Sequence, residues 1–201
     1  MGKTFKGEKT RQLIIDKATI LFTKNGYNHT SLSRILKATG LAKGGFYFHF
    51  RSKEELGIAV IKCLEDCWTD EILPKLQQGK DAKEKLEIMF SATGDCTSES
   101  GIRPTILLLT LATEMIEVND KFSRMLQSIF KGWWMIIEAM IEEGKLQKIF
   151  RKEVDTTAVA AIILSNILGA NLLSILNNKK DIYEKQLYML KTVLFEGISI
   201  L

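Results

Sequence analysis

Three observations predict an all-α fold for this chain of 201 residues. Apolar residues recur at helical spacing through most of it, both prolines and most glycines fall between those periodic segments, and no sustained period-2 alternation appears outside short runs. With 46% hydrophobic and 26% charged residues, the composition excludes a disordered or collagen-like chain, and the length suits one full core or two small ones.

The elements follow in order. A first helix is expected from about Thr10 to Asn25, with Ile14, Ala18, Leu21 and Phe22 on one face and Gly26 as its stop. Thr30 is read as the N-cap of a short second helix over 31–39 that turns Leu32, Ile35 and Leu36 inward and ends at Gly40. Residues 43–50 suit a third short helix. Ser52-Lys53-Glu54-Glu55 has capping-box spacing and opens a long fourth helix reaching towards Leu73-Pro74. Asp81-Ala82-Lys83-Glu84 repeats that logic for a helix ending near Gly94, before a polar loop over 94–101. Further helices are expected over 104–117, 121–143, 155–176 and 181–200.

Charge is distributed unevenly. Residues 1–53 hold eleven Lys and Arg against Glu8 and Asp16, a net of +9, which leaves −5 for the rest of a chain whose total is +4. A basic first quarter on a mildly acidic remainder reads as a nucleic-acid-binding head on a body with another task. The boundary is placed near Ser52, giving a head over 1–52 and a body over 53–201.

Within the head, two short helices joined by Thr39-Gly40-Leu41-Ala42 form a helix-turn-helix pattern, whose second helix is offered to the major groove. Gly26-Tyr27, Thr30-Ser31, Ile35, Gly40-Leu41, Lys43-Gly44, Phe46-Tyr47, His49-Phe50, Lys53 and Leu56 stand in the order and spacing of the TetR family's DNA-binding head. The chain therefore resembles a TetR-type transcriptional regulator over about residues 10–60. The resemblance implies a three-helix head joined by a long fourth helix to a helical ligand-binding and dimerisation domain. It also implies a dimeric repressor on a palindromic operator. The chain departs from the family at Leu36, Thr39, Ala42 and Phe48; Ala42 lacks a capping hydroxyl, and Phe48 lacks the hydroxyl of the tyrosine often found there.

DNA contacts are expected from Thr30, Ser31, Lys43, Gly44, Gly45, Tyr47, His49 and Lys53. Thr30 at a helix start and Lys53 at the start of the fourth helix suit phosphates. Tyr47 and His49 resemble the family's phosphate-contacting pair, and Lys43, Gly44 and Gly45 stand where its recognition helix meets base edges. Lys43 alone among the last three has a donor able to read guanine. Phe46, Phe48 and Phe50 are assigned to core packing. The arm with Lys3, Lys6, Lys9 and Arg11 suits either the DNA backbone and minor groove or a solubilising tail.

The body carries no catalytic constellation. The two histidines, His29 and His49, both lie in the head, and no Ser-His-Asp set, HExxH pair or phosphate-cradling glycine loop is present, so an enzyme is not expected. No cofactor or metal is expected either. Cys63 and Cys67 share a helix face and suit core packing, a soft metal, or oxidant sensing with Cys96; three cysteines cannot all pair within one chain, which fits a reduced, cytoplasmic protein. The uncharged stretch 156–178 is long enough to span a membrane but contains Ser165, Asn166, Asn171 and Ser174, and is read as a buried helix instead.

A homodimer is expected through the last two helices. Tyr183, Leu187, Leu190, Leu194, Gly197 and Leu201 recur at steps of four and three, and Ala161, Ser165 and Gly169 align small residues for close helix approach. Large adaptable side chains in the body suggest an apolar pocket for a small hydrophobic ligand, with Met115, Trp133 and Trp134 as its candidates and Glu114 or Glu117 as partners for a cationic one. The alternative is a DNA-binding regulator without such a ligand, controlled by a protein partner or by cysteine oxidation.

Overall fold

A computed structural model describes the backbone of residues 2–95, 103–176 and 180–200, and the side chains of 7–93, 103–176 and 183–200. The described residues form nine helices: α1 (Gly2–Asn25), α2 (Leu32–Thr39), α3 (Lys43–His49), α4 (Lys53–Leu76), α5 (Ala82–Asp95), α6 (Pro104–Met115), α7 (Asp120–Leu146), α8 (Thr156–Leu176) and α9 (Lys180–Ile198). They contain no strand, only an antiparallel bridge between Phe150 and Ser199. The all-α fold is as expected. Two bounds differ notably: α1 starts at Gly2, eight residues before the expected Thr10, and α4 continues through Pro74 for two residues. Proline in a last turn forfeits one hydrogen bond where the helix is about to end anyway. The loop expected over 94–101 falls largely outside the described residues, as do Cys96 and Leu201.

Helix starts are set by side chains. The Ser52 Oγ accepts the Glu55 N–H at 3.0 Å while Glu55 reaches back to the Arg51 N–H at 2.7 Å. Asp81 and Glu84 repeat the arrangement at α5, with 2.9 Å to the Glu84 N–H and 2.8 Å from the Lys80 N–H. Each pair satisfies donors that a helix start leaves without partners. Asn119 caps α7 by accepting the Lys121 and Phe122 N–H groups, and Asp155 caps α8 by accepting that of Ala158.

The chain divides into two compact units, Met1–Cys67 with Thr97–Leu126, and Trp68–Cys96 with Gln127–Leu201. The first therefore contains more than the head defined by charge and motif: α6 packs on α1 within it. Its core holds Ile14, Ala18, Phe22, Ile35, Phe46, Phe50, Leu56 and Phe122. Tyr27 joins this core edge-on to Phe22 and tilted against Phe122, with centroids 5.1 and 5.0 Å away. Gly57 makes room for it, since a Cβ there would lie 2.5 Å from Phe122 Cζ and 2.8 Å from Tyr27 Cε2.

In the second unit α8 packs on α9, and α5 packs on both. One face of α8 is buried, through Val159, Ala160, Ile163, Leu164, Ile167, Ala170, Asn171 and Ser174. The opposite face leaves Ile162, Leu172, Leu173, Ile175 and Leu176 exposed in the single chain, so the all-round burial expected for this segment holds on one side. Ser165, Asn166 and Asn171 donate to carbonyls of the preceding turn, while the buried Asn171 Oδ1 accepts no hydrogen bond. α8 is long and apolar enough to cross a membrane by length and composition alone.

Candidate nucleic-acid interface

The turn before α2 is built differently from the sequence expectation. Ser31, not Thr30, is the N-cap, accepting the Arg34 N–H at 3.4 Å in an extended conformation. Thr30 is fully buried and its hydroxyl donates to the carbonyls of Gly26 at 2.7 Å and Leu21 at 3.3 Å. Its hydroxyl is thus turned into the head, because a buried hydroxyl must find an acceptor and the end of α1 supplies two. The hydroxyls at this helix start belong to Ser31 and Ser33, 2.8 Å apart and both exposed.

α2 ends at Gly40, whose φ of 68° is the left-handed conformation that makes the tight turn. Ala42 begins α3 without a side-chain cap, as its methyl dictates. Phe46 occupies the inner side of α3, and Phe50, the extended residue that ends the helix, is fully buried as well. Lys43, Gly44, Tyr47 and Phe48 are exposed and make up its outer side. Lys43 Nζ lies 6.0 Å from the Tyr47 ring centroid, and Tyr47 is 44% exposed. Gly45 and His49 are half-buried; Phe48 meets His49 edge-on with centroids 5.0 Å apart. Core packing of Phe48 is overturned: it is 82% exposed. Phe48 follows the buried Phe46 by two residues in α3, about half a turn round the helix, and so points away from the core.

Lys53 is half-buried with its ammonium 4.1 Å from the Tyr27 ring centroid. Burial pushes its pKa down from the ordinary value, while the Glu114 carboxylate acts in the opposite sense. Burial, assisted by the charge of Glu54, pushes the Tyr27 hydroxyl up to about 12. The Glu114 carboxylate accepts the backbone N–H groups of Tyr27 and Asn28. The nearby Glu54 carboxyl is held below its usual value by hydrogen bonds from Lys121 and Asn119.

The ligand and dimer candidates separate in an informative way. Met115 is buried in the first unit, whereas Trp133 and Trp134 lie in the second. Trp133 is buried against Trp68 and Phe130, with centroids at 4.8 and 5.2 Å, and is a packing residue. Trp134 lines an open apolar groove of about 490 Å³ with Phe130, Lys131, Met135, Glu138 and Leu164, and its indole N–H donates to Glu138 at 3.0 Å. On α9, Leu187 and Leu194 are buried within the chain, together with Tyr183, whose hydroxyl is 2.8 Å from that of Thr93. Leu190 is half-buried. The free apolar face of α9 is instead Tyr188, Met189 and Val193, since α9 carries apolar residues on two sides and α8 and α5 cover the leucine side. On α8, Ser165 is exposed and Ala161 and Gly169 are half-buried, with open space around Gly169.

Residues 14–60 match the model of bacterial regulatory proteins of the tetR family, and residues 82–189, more than half of the chain, match the tetracyclin repressor-like C-terminal domain. The chain belongs to the TetR family. The fatty acid metabolism regulator protein of Bacillus subtilis is 24% identical over 83% of this chain and 84% of its own length. The HTH-type transcriptional repressor DhaR of a Mycobacterium species is 26% identical over 94% and 91%. A TetR transcriptional regulator from Chloroflexus aurantiacus superposes with a TM-score of 0.87 at 25% identity, covering 98% of this chain and 99% of that one.

As a TetR-family member the chain is a DNA-binding transcriptional regulator and not an enzyme. The α2–α3 pair supplies the helix-turn-helix of the TetR head, with Gly40 at its turn and Phe46 and Phe50 seating α3 on the core. Two features of this TetR-family chain differ in how far the sequence signals them. The outward ring of Phe48 was legible from its position two residues after Phe46 in a short helix, but the clasp of Glu114 on Tyr27 had no local signal, being separated by 87 residues.

Proposed function

We propose that this TetR-family regulator acts in the cytoplasm as a homodimeric repressor that binds a palindromic operator and is released by a small hydrophobic ligand. The observation that carries the reading is the outer face of α3, where Lys43, Tyr47 and Phe48 project from a stretch, residues 1–53, of net charge +9. Ser31 and Lys53 flank it as phosphate contacts, and Lys43 supplies the donor for a base edge. Self-association is supported by the exposed apolar side chains of α8 and α9, since Tyr188 at 69% and Val193 at 63% exposure have no cover in one chain. A two-fold dimer reads a two-fold site. DhaR bears the name of a repressor, which supports the same sense of regulation here.

Ligand binding is assigned to the groove of Phe130, Trp134, Met135 and Leu164 in the second unit, with Lys131 and Glu138 at its rim. Its volume and its apolar lining with few polar groups suit a small hydrophobic compound. Release requires tighter binding to the conformation that does not hold DNA; a hundredfold preference corresponds to about 2.7 kcal/mol. The test is random-sequence selection by the purified protein, followed by a screen of hydrophobic compounds for loss of operator binding and tryptophan quenching. An enriched palindrome and a compound that quenches wild type but not Trp134→Phe support the reading. Absence of any enriched sequence at low salt overturns it.

A further inference from the structure

Two residues on the outer face of α3 have no role in the protein's own fold. Phe48 leaves 82% of its surface in water, although a phenyl ring gains much from burial. Gly44 is helical, so its backbone conformation does not require glycine, and a Cβ there would meet nothing within 4 Å. Glycine at such a site weakens a helix relative to alanine. The two stand at i and i+4, so the patch of bare backbone lies one turn from the ring on the same face.

Hydrogen-bonding readout from this face rests on Lys43 and the Tyr47 hydroxyl, because Gly44 carries no side chain. A ring with no polar atom can recognise one feature of the major groove, the 5-methyl group of thymine. We propose that Phe48 is a specificity-determining residue that packs its ring on a thymine methyl group of each operator half-site, and that Gly44 lets the duplex approach closely enough for that contact. The inference rests on the DNA-binding reading above. Duplex DNA is the occupant because the face belongs to residues 1–53, whose net charge is +9, and the cations Lys43 and Arg51 stand exposed on and beside α3.

The test uses the full-length protein and its best duplex from random-sequence selection. Each thymine is replaced singly by deoxyuridine, which deletes the methyl group and keeps base pairing. At one position per half-site wild type binds the deoxyuridine duplex about fourfold more weakly, the factor for one methyl group withdrawn from water. Phe48→Ala binds the two duplexes equally while keeping the wild-type circular dichroism and melting temperature, because the ring lies outside the core. Gly44→Ala melts at a higher temperature and binds the operator more weakly.

The proposal is overturned if no thymine methyl group matters to wild type. It is equally overturned if Phe48→Ala weakens every duplex alike and retains the methyl effect, which would mark a wedge between base pairs or a non-specific contact. Unchanged operator affinity in Gly44→Ala overturns the close approach. Failure to enrich any sequence overturns the DNA-binding reading and this inference with it; enrichment without methyl dependence overturns this inference alone.

Discussion

The Glu114 carboxylate accepts the backbone N–H of Tyr27 at 2.9 Å and that of Asn28 at 3.2 Å, so a side chain of α6 closes the chain reversal after α1. Gly26, with φ of 76°, makes the reversal and leaves room for the carboxylate. Glu114→Ala leaves the part-buried Tyr27 N–H without its acceptor, while the exposed Asn28 N–H turns to water, and is expected to lower stability by about 1–3 kcal/mol. Glu114→Gln, which keeps an acceptor oxygen, recovers part of the loss. Equilibrium unfolding in urea measures both, and equal loss in the two variants would argue against the hydrogen bonds.

Gly57 lies where Tyr27 and Phe122 converge, closer than any side chain permits. Gly57→Ala must displace one ring or the other. Overpacking of this kind costs about 1–3 kcal/mol, against the gain that alanine brings to an open helix site. Thermal unfolding decides the sign, and a stabilised variant would show that the rings yield freely.

Tyr27 carries a pH dependence. Its folded pKa of about 12 lies above the ordinary 10.0, so between those values the folded chain keeps a proton that the unfolded chain has lost. Stability from this group is complete below pH 10 and falls as pH rises towards 12. Tyr27→Phe keeps the ring and removes the titration. The loss of stability between pH 10 and 12 is therefore expected to be smaller in the variant, and ultraviolet titration should lose one tyrosine of raised pKa.

On DNA, Lys53→Ala should weaken binding to all sequences about equally and reduce the salt slope by about one, as for a single phosphate contact. Lys43→Ala should instead relax sequence preference. Fluorescence anisotropy at several salt concentrations, on specific and random duplexes, separates the two. A sequence-dependent loss in Lys53→Ala would assign it to base readout.

Sedimentation should find a dimer at micromolar concentration. Val193→Glu and Gly169→Glu each place two unpaired charges in the proposed interface, at a cost of several kcal/mol, and should yield folded monomers. Leu187→Glu is expected to unfold the chain instead, because Leu187 lies inside it. Folded, monomeric Leu187→Glu would restore the leucine stripe as the interface.

Helical periodicity, two capping boxes and the punctuation by Gly26 and Gly40 were written locally, so the sequence alone determined the all-α fold, the helix order and the helix-turn-helix. The same local reading showed that Lys43 and Tyr47 follow the turn. Tertiary structure decided what spacing leaves ambiguous. Thr30 and Ser31 are both good caps by residue type, and the acceptors at the end of α1 drew Thr30 inward. α9 has two apolar faces of similar merit, and the cover supplied by α8 and α5 turned Leu187 and Leu194 inward while leaving Val193 outside. Glu114 meets Tyr27 across 87 residues of chain, a pairing that no local pattern encodes. Periodicity specifies which residues share a face; only packing specifies which partner that face meets.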